Sequence, residues 1–239
     1  MILVILSAGR GSRLKHHTQN VPKSLVRIKN IPIIDYMERF RNKFQKTIIV
    51  TGYKNKLIKN KFKGDNKISL IKNNDYKKTN MVYSLFKIQR KDIKNKNIVV
   101  AYSDIIFDPK IYKNLTLNRT MIPINKNWKS LWKKRMNLKK IREDAEDLKV
   151  KNKIVISIGE KIKHKLPRYQ FMGLIKILNS DYFKLKKYFK RLNKKIDFTS
   201  FLNKAISSKV IKLYYKKTSN FWFEVDNEKD LKIVEKFLK

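Results

Sequence analysis

Residues 1–14 read MILVILSAGRGSRL, and residues 22–26 read PKSLV. The opening six apolar residues are too few for a buried helix and carry no polar position, which fits a first strand buried on both faces of a parallel sheet. Gly9 and Gly11 follow at once. They let the chain turn tightly and bring backbone N–H groups close to an anion, an approach that a Cβ at either position hinders. Arg13 and Lys23 add the side-chain cations that phosphate oxygens favour. The stretch therefore predicts an α/β fold with a phosphate cradle after its first strand. It is neither a Walker A loop, for it lacks G-K-[ST], nor a dinucleotide fingerprint, for it lacks the third glycine.

Working outward, strand-like runs alternate with helical spacing, the pattern of a mostly parallel sheet covered by helices. Ile33, Tyr36, Met37, Phe40 and Phe44 predict an amphipathic helix over residues 33–44, with a strand at 47–52. Further strands are expected at 68–72, 98–102, 154–158, 171–177, 210–215 and 221–225, and helices at 81–88, 182–192 and 198–206. Asn227 can cap a last helix with Asp230 three residues on, and Leu231, Val234, Phe237 and Leu238 form its apolar stripe.

Composition narrows the function. The 239 residues suffice for one core, and no stretch approaches the roughly 18 apolar residues of a membrane span. The first apolar run lacks a basic flank and leads straight into the loop, so it reads as a strand rather than a signal peptide. With no cysteine there is no disulfide, thiol nucleophile or thiolate metal site, and a cytoplasmic location is expected. The formal charge of +40 raises nucleic-acid binding. Yet lysines recur in nearly every block of ten from Lys15 to Lys239 instead of clustering, so no specific nucleic-acid partner is expected.

The string L-x-A-G-x-G-x-R-L with a downstream P-K-S-L resembles the signature of the nucleoside-triphosphate transferases that activate sugar phosphates, phosphocholine and phosphonates. Residues 80–85 (NMVYSL), Asp104 after a strand and E-V-D at 224–226 resemble the phosphocholine and phosphonate cytidylyltransferase branch. So do Trp128, Trp132 and Arg135, Asp144-Ala145-Glu146, and residues 169–174 (YQFMGL), in the same order along most of the chain. The chain departs from the family's usual string by placing Arg168 and Phe171 where small or tyrosyl residues are common. The resemblance implies a single Rossmann-like domain over residues 1–239. Residues 1–120 would form its nucleotide part, 121–220 its acceptor part, and 221–239 a metal-site strand and final helix. It implies CTP binding by Leu6, Ala8, Gly9, Gly11, Arg13, Lys23, Asn80, Ser84 and Asp104, with Arg13 and Lys23 on the phosphates.

Nucleotidyl transfer brings two anions together, so the chemistry calls for Mg²⁺ and oxygen ligands. Asp104 follows the apolar run IVVAY at the carboxyl edge where ligands bind in open α/β sheets. Glu224 and Asp226 occupy alternate positions of an expected strand and so share a face. These three are the expected metal ligands, and surface salt bridges are the plain alternative. Trp128, Trp132, Arg135, Asp144, Glu146, Tyr169 and Gln170 are the expected acceptor contacts, with Trp222 a further ring for an ammonium group. Asp144 and Glu146 suit an acceptor amine, or orient Arg135, and converge only if that segment is extended. His16, His17 and His164 show no partner in the sequence and read as surface residues.

The expected reaction is in-line attack by an acceptor phosphate or phosphonate oxygen on the α-phosphorus of CTP, with release of pyrophosphate. The leading acceptors are 2-aminoethylphosphonate and phosphocholine. A sugar 1-phosphate nucleotidyltransferase using UTP, dTTP or CTP is the alternative within this chemistry. A basic nucleic-acid-binding protein on the same scaffold is the alternative outside it.

Overall fold

The computed structural model describes residues 1–163 and 165–238; His164 lies outside them. The strand Ile2–Ser7 is buried throughout. Its side chains alternate by pleat, with Ile2, Val4 and Leu6 entering one apolar cluster and Leu3 and Ile5 the cluster on the other face. The unbroken apolar run is thus the signature of a strand covered on both sides.

That strand sits inside a ten-stranded mixed sheet with most of its paired length parallel. The order is Ile68–Lys72, Lys46–Thr51, Ile2–Ser7, Ile98–Tyr102, Leu174–Ile177, Met121–Asn125, Tyr214–Thr218, Ile154–Lys161 and Glu146–Lys151, with Gln170–Phe171 joined to Met121–Asn125. Leu174–Ile177 runs antiparallel to both of its neighbours. Helices flank the sheet, giving a single α/β domain. No helix among the described residues is long and apolar enough to cross a membrane.

A third apolar cluster carries the functional geometry. Leu14, Val26, Ile28 and Ile33 from the chain's start pack with Ile106, Phe223, Val225, Leu231 and Val234. It fastens the segments holding Arg13 and Lys23 to those holding Asp104 and Asp226. The last helix, Glu228–Phe237, starts at Asn227 with the expected capping box to Asp230.

Several elements differ from expectation. The helix expected over 33–44 covers only Ile33–Glu38, and a separate short 3₁₀ turn, Arg41–Lys43, follows. The single strand expected at 171–177 is two, because Gly173 takes φ 69° between them. A Cβ at Gly173 would lie 2.8 Å from the Tyr102 ring, so the break is a close approach that only glycine permits. The helix expected at 182–192 runs Asn179–Phe189, and the strand expected at 210–215 is displaced to Tyr214–Thr218. In both cases apolar residues flanking the element pack on the core without joining it, so apolar content misplaced the bounds.

Candidate active site

The glycine loop and residues 22–26 meet at Gly11. This residue has φ 76°, and a Cβ there would stand 2.6–2.9 Å from the aliphatic carbons of Lys23. Glycine thus serves the turn and also clears a passage for the lysine stem. Lys23 reaches inward, donating from Nζ to Asp104 Oδ2 at 2.6 Å and to Asp226 Oδ1 at 2.9 Å. Arg13, whose side chain is 68% exposed, donates to the same Asp226 oxygen at 2.8 Å.

Backbone pairing brings the acids together. Trp222–Glu224 runs antiparallel to Ile105–Phe107, and the Val225 N–H donates to the Asp104 carbonyl at 2.9 Å. Asp104 is thereby held against the residue between Glu224 and Asp226. One carboxylate oxygen from each of the three lies within 4.8 Å of the others. Strand alternation accounts only for Glu224, since Asp226 lies beyond the last strand residue and is placed by its cations.

The two carboxyls near Val225 differ sharply in their surroundings. Burial pushes Glu224 up to about 8, helped by the nearby Asp226 and Asp104 charges, and Arg135 offsets little from 3.7 Å. Burial acts the same way on Asp226, but Lys23 and Arg13 outweigh it and hold that carboxyl below its ordinary value. Burial also pulls the Lys23 ammonium down, but Asp104 and Asp226 reverse the sign and leave it above its usual range.

Two adjoining cavities open beside the carboxylates. The first, about 230 Å³, is lined by Leu6, Ala8, Gly9, Gly11, Arg13, Lys23, Asn80, Ser84 and Asp104, with Tyr76 and Thr79 among the others. The second, about 190 Å³, is lined by Asp144, Glu146, Gln170, Asp197, Trp132, Trp222 and Glu224, with Thr199 and several apolar side chains. Met81 and Tyr102 belong to both walls. Asp104 faces the first cavity and Glu224 the second, so the carboxylate trio stands where they join.

Residues 3–123 match the family model described as the MobA-like NTP transferase domain. The chain belongs to this family. It is 31% identical to the CTP:phosphoglutamine cytidylyltransferase of Campylobacter jejuni subsp. jejuni serotype O:2, over 98% of both chains. It is also 31% identical to the choline-phosphate cytidylyltransferase of Streptococcus pneumoniae over 49% of each chain. The fold is similar to that of the inositol-1-phosphate CTP transferase from T. maritima, with TM-score 0.81, 19% identity and coverage of 98% of this chain and 93% of that one. It is similar too to the CTP:phosphocholine cytidylyltransferase structure from Streptococcus pneumoniae, with TM-score 0.78, 22% identity and coverage of 100% and 99%.

All nine residues expected at the nucleotide line the first cavity. Asn80 caps the helix Met81–Phe86, accepting from the Met81 N–H at 2.7 Å, and the buried Ser84 hydroxyl accepts from Asn73 at 2.9 Å. Of the expected acceptor contacts, Trp132, Asp144, Glu146 and Gln170 line the second cavity. Asp144 closes the helix Leu138–Asp144, Ala145 is extended and Glu146 opens a strand, so the two acids converge.

Three expected acceptor contacts do not reach that wall. Trp128 is fully buried and donates its indole N–H to the Pro167 carbonyl at 3.3 Å. Tyr169 is buried in the large apolar cluster with Arg168 and Lys217 over its ring. Arg135 lies behind the strand Trp222–Glu224, bound to Asp226 and Asp230 and not to Asp144 or Glu146. Trp128, Trp132 and Arg135 share one face of the short helix Trp128–Arg135, at successive heights along its axis, and only Trp132 stands level with the cavity.

Other residues escaped the sequence reading. Asp230 looked like a simple cap, yet it is fully buried against Arg135. Asp197 and Thr199 stand at the start of the helix Phe198–Ser207, where capping chemistry hid their place in the cavity wall. His16 and His17, expected without partners, approach Glu228 at 3.0 and 3.8 Å while remaining largely exposed.

The residues fit a divalent ion. Three carboxylates converge, and Asp104 Oδ1 is buried with no hydrogen-bond partner, a free hard-oxygen ligand beside a phosphate cradle.

Proposed function

We propose that this chain is a cytidylyltransferase that uses CTP and Mg²⁺ to transfer CMP to a small phosphorylated or phosphonate acceptor with a cationic head, of the 2-aminoethylphosphonate or phosphocholine type. The observation that carries the reading is the charge of the second cavity. Asp144, Glu146 and Asp197 line it beside Glu224, and among the described residues no Lys, Arg or His does, in a chain with 59 Lys and Arg against 19 acids. Such a wall favours a cation and repels an acceptor carboxylate.

Local hydrogen bonding supports the same head group. The Thr199 hydroxyl lies 2.8 Å from Glu146 and 3.0 Å from Asp197, but it has one proton to donate to two carboxylates. Burial raises Glu146 above its ordinary value, so bringing an ammonium beside it relieves a cost already present. Gln170 Oε1 and the Trp222 indole N–H are buried in this wall with no hydrogen-bond partner. The phosphorylated amino acid named for the Campylobacter jejuni relative carries a carboxylate, for which this wall offers no base among the described residues.

In the reaction, a phosphate or phosphonate oxygen bonds to the α-phosphorus of CTP while the α–β phosphoanhydride bond breaks and pyrophosphate leaves. The nucleophile is already an anion, so the protein's task is alignment and charge neutralisation rather than proton removal. Arg13 and Lys23 receive the phosphates, and the first cavity holds nucleoside while the second holds the acceptor head. Asp104, Glu224 and Asp226 would hold Mg²⁺, which supplies charge neutralisation at the phosphates.

The test is pyrophosphate release with Mg²⁺, each of the four nucleoside triphosphates, and a panel of 2-aminoethylphosphonate, phosphocholine, phosphoethanolamine, phosphoglutamine and hexose 1-phosphates. Release with CTP and an amine acceptor lacking a carboxylate is the expected result. Release confined to UTP or dTTP with a sugar phosphate, or to phosphoglutamine, overturns the acceptor reading.

A further inference from the structure

We propose that Lys23 is the resident counter-ion of the Asp104, Glu224 and Asp226 carboxylates, and that a divalent cation takes this site only as nucleotide phosphate draws the ammonium away. Metal then arrives with the triphosphate, not ahead of it. The inference rests on the cytidylyltransferase reading and adds an order of events to it.

Three observations support it. Lys23 is buried, and its Nζ bridges Asp104 at 2.6 Å and Asp226 at 2.9 Å, two of the three candidate metal ligands. An ion approaching those oxygens meets a positive charge already seated on them, and like charges a few ångströms apart in a partly buried site repel strongly. Asp226 is shared further, with Arg13 at 2.8 Å and Arg135 at 3.2 Å, so little negative charge is left to attract a bare cation.

Gly11 dictates how the exchange proceeds. The Lys23 carbons Cβ, Cγ and Cδ run through the space that a Gly11 side chain would fill, so the stem is fixed by packing. Only the far end of the side chain has freedom to turn. Lys23 lines the nucleotide cavity together with Gly9, Gly11 and Arg13, so a triphosphate lying on that loop presents oxygens to the same ammonium. Phosphate therefore replaces carboxylate as the lysine's partner, and the vacated carboxylate oxygens would then be free to hold a divalent ion. One short swing converts a neutralised acid cluster into a ligand set.

The experiment measures Mn²⁺ binding to the full chain by electron paramagnetic resonance, with and without an α,β-methylene analogue of CTP. The wild-type protein should bind Mn²⁺ weakly alone and firmly with the analogue. Lys23→Met keeps the stem and removes the charge, so without nucleotide it should bind Mn²⁺ at least about tenfold more tightly than the wild type. Lys23→Arg should remain weak, and adding Asp226→Asn to Lys23→Met should remove the gain. Thermal melting checks the fold, and Lys23→Gln replaces the methionine variant if that one does not fold.

Equal or weaker Mn²⁺ binding by the charge-removed variant, in a protein whose wild type binds the analogue and transfers CMP, overturns the counter-ion exchange and leaves the enzyme reading standing. Absence of Mn²⁺ binding under every condition, together with absence of CMP transfer, overturns both.

Discussion

Arg135 grips Asp230 with two parallel hydrogen bonds, Nε to Oδ1 at 2.9 Å and Nη2 to Oδ2 at 2.8 Å, and the two side chains are 2% and 0% exposed. Asp230 Oδ2 also accepts the backbone N–H of Asp226 at 2.9 Å and of Asn227 at 3.2 Å. One buried acid thus starts the last helix, neutralises Arg135 and fixes the backbone of Asp226. Removing one partner of such a pair leaves an uncompensated buried charge, at a cost of about 3–5 kcal/mol. Asp230→Ala should lower the urea midpoint accordingly, while Lys140→Ala, whose pairs are exposed, should leave it essentially unchanged.

Asp226 receives Arg13, Lys23 and Arg135 and belongs to the candidate metal set. Metal charge stabilisation is worth several kcal/mol, so Asp226→Ala should reduce kcat/KM by about 10² to 10⁴. A native circular dichroism spectrum should accompany that loss. Near-normal turnover removes Asp226 from the site.

Gly11→Ala tests the passage beneath the loop. The substitution demands φ near 76° of alanine and sets a methyl group 2.6 Å from a Lys23 carbon. The backbone term alone costs about 1–3 kcal/mol, and the displaced lysine should raise the KM for CTP. Unchanged CTP kinetics would show that the lysine stem does not depend on this clearance.

Glu224 gives a pH dependence. Its proton is lost near 8 in the folded protein and near 4.5 in an ordinary carboxyl, so between these values the native state holds the proton and the unfolded chain does not. Stability of the metal-free protein should therefore fall as pH rises through that window. Mg²⁺ held there with nucleotide would require the ionised form, so its apparent affinity in the presence of a CTP analogue should rise with pH up to about 8 and level off above it. Denaturant midpoints and Mg²⁺ titrations from pH 5.5 to 9 measure both trends, and a flat profile assigns the proton elsewhere.

The acid wall of the second cavity predicts a split in kinetic constants. Glu146→Gln and Asp197→Asn each remove a charge from the acceptor side while leaving the nucleotide cavity untouched. Losing one charge-assisted contact of about 1.5–3 kcal/mol should raise the KM for an amine acceptor about tenfold or more, with the KM for CTP unchanged. Steady-state kinetics with each substrate varied in turn decide the matter.

The sequence by itself determined the local chemistry. The run at residues 1–6 marked a strand buried on both faces, the glycines after it marked a tight turn, and Asn227 with Asp230 specified the start of the last helix. These features are legible because strand, turn and cap preferences act within a few residues. All nine residues assigned to the nucleotide from resemblance and position line one cavity for the same reason, since they lie on the loop and strand ends that the pattern marks. The tertiary structure alone decided which side chains meet across the chain. Arg135 pairs with Asp230, Trp128 lies in the core, and Asp197 and Thr199 join the wall of the second cavity, because the packing of distant segments decides what each side chain meets. The seating of Lys23 on carboxylates 81 and 203 residues away follows from the same physics. A buried ammonium needs buried acids, and only the apolar cluster joining the chain's two ends brings them within reach.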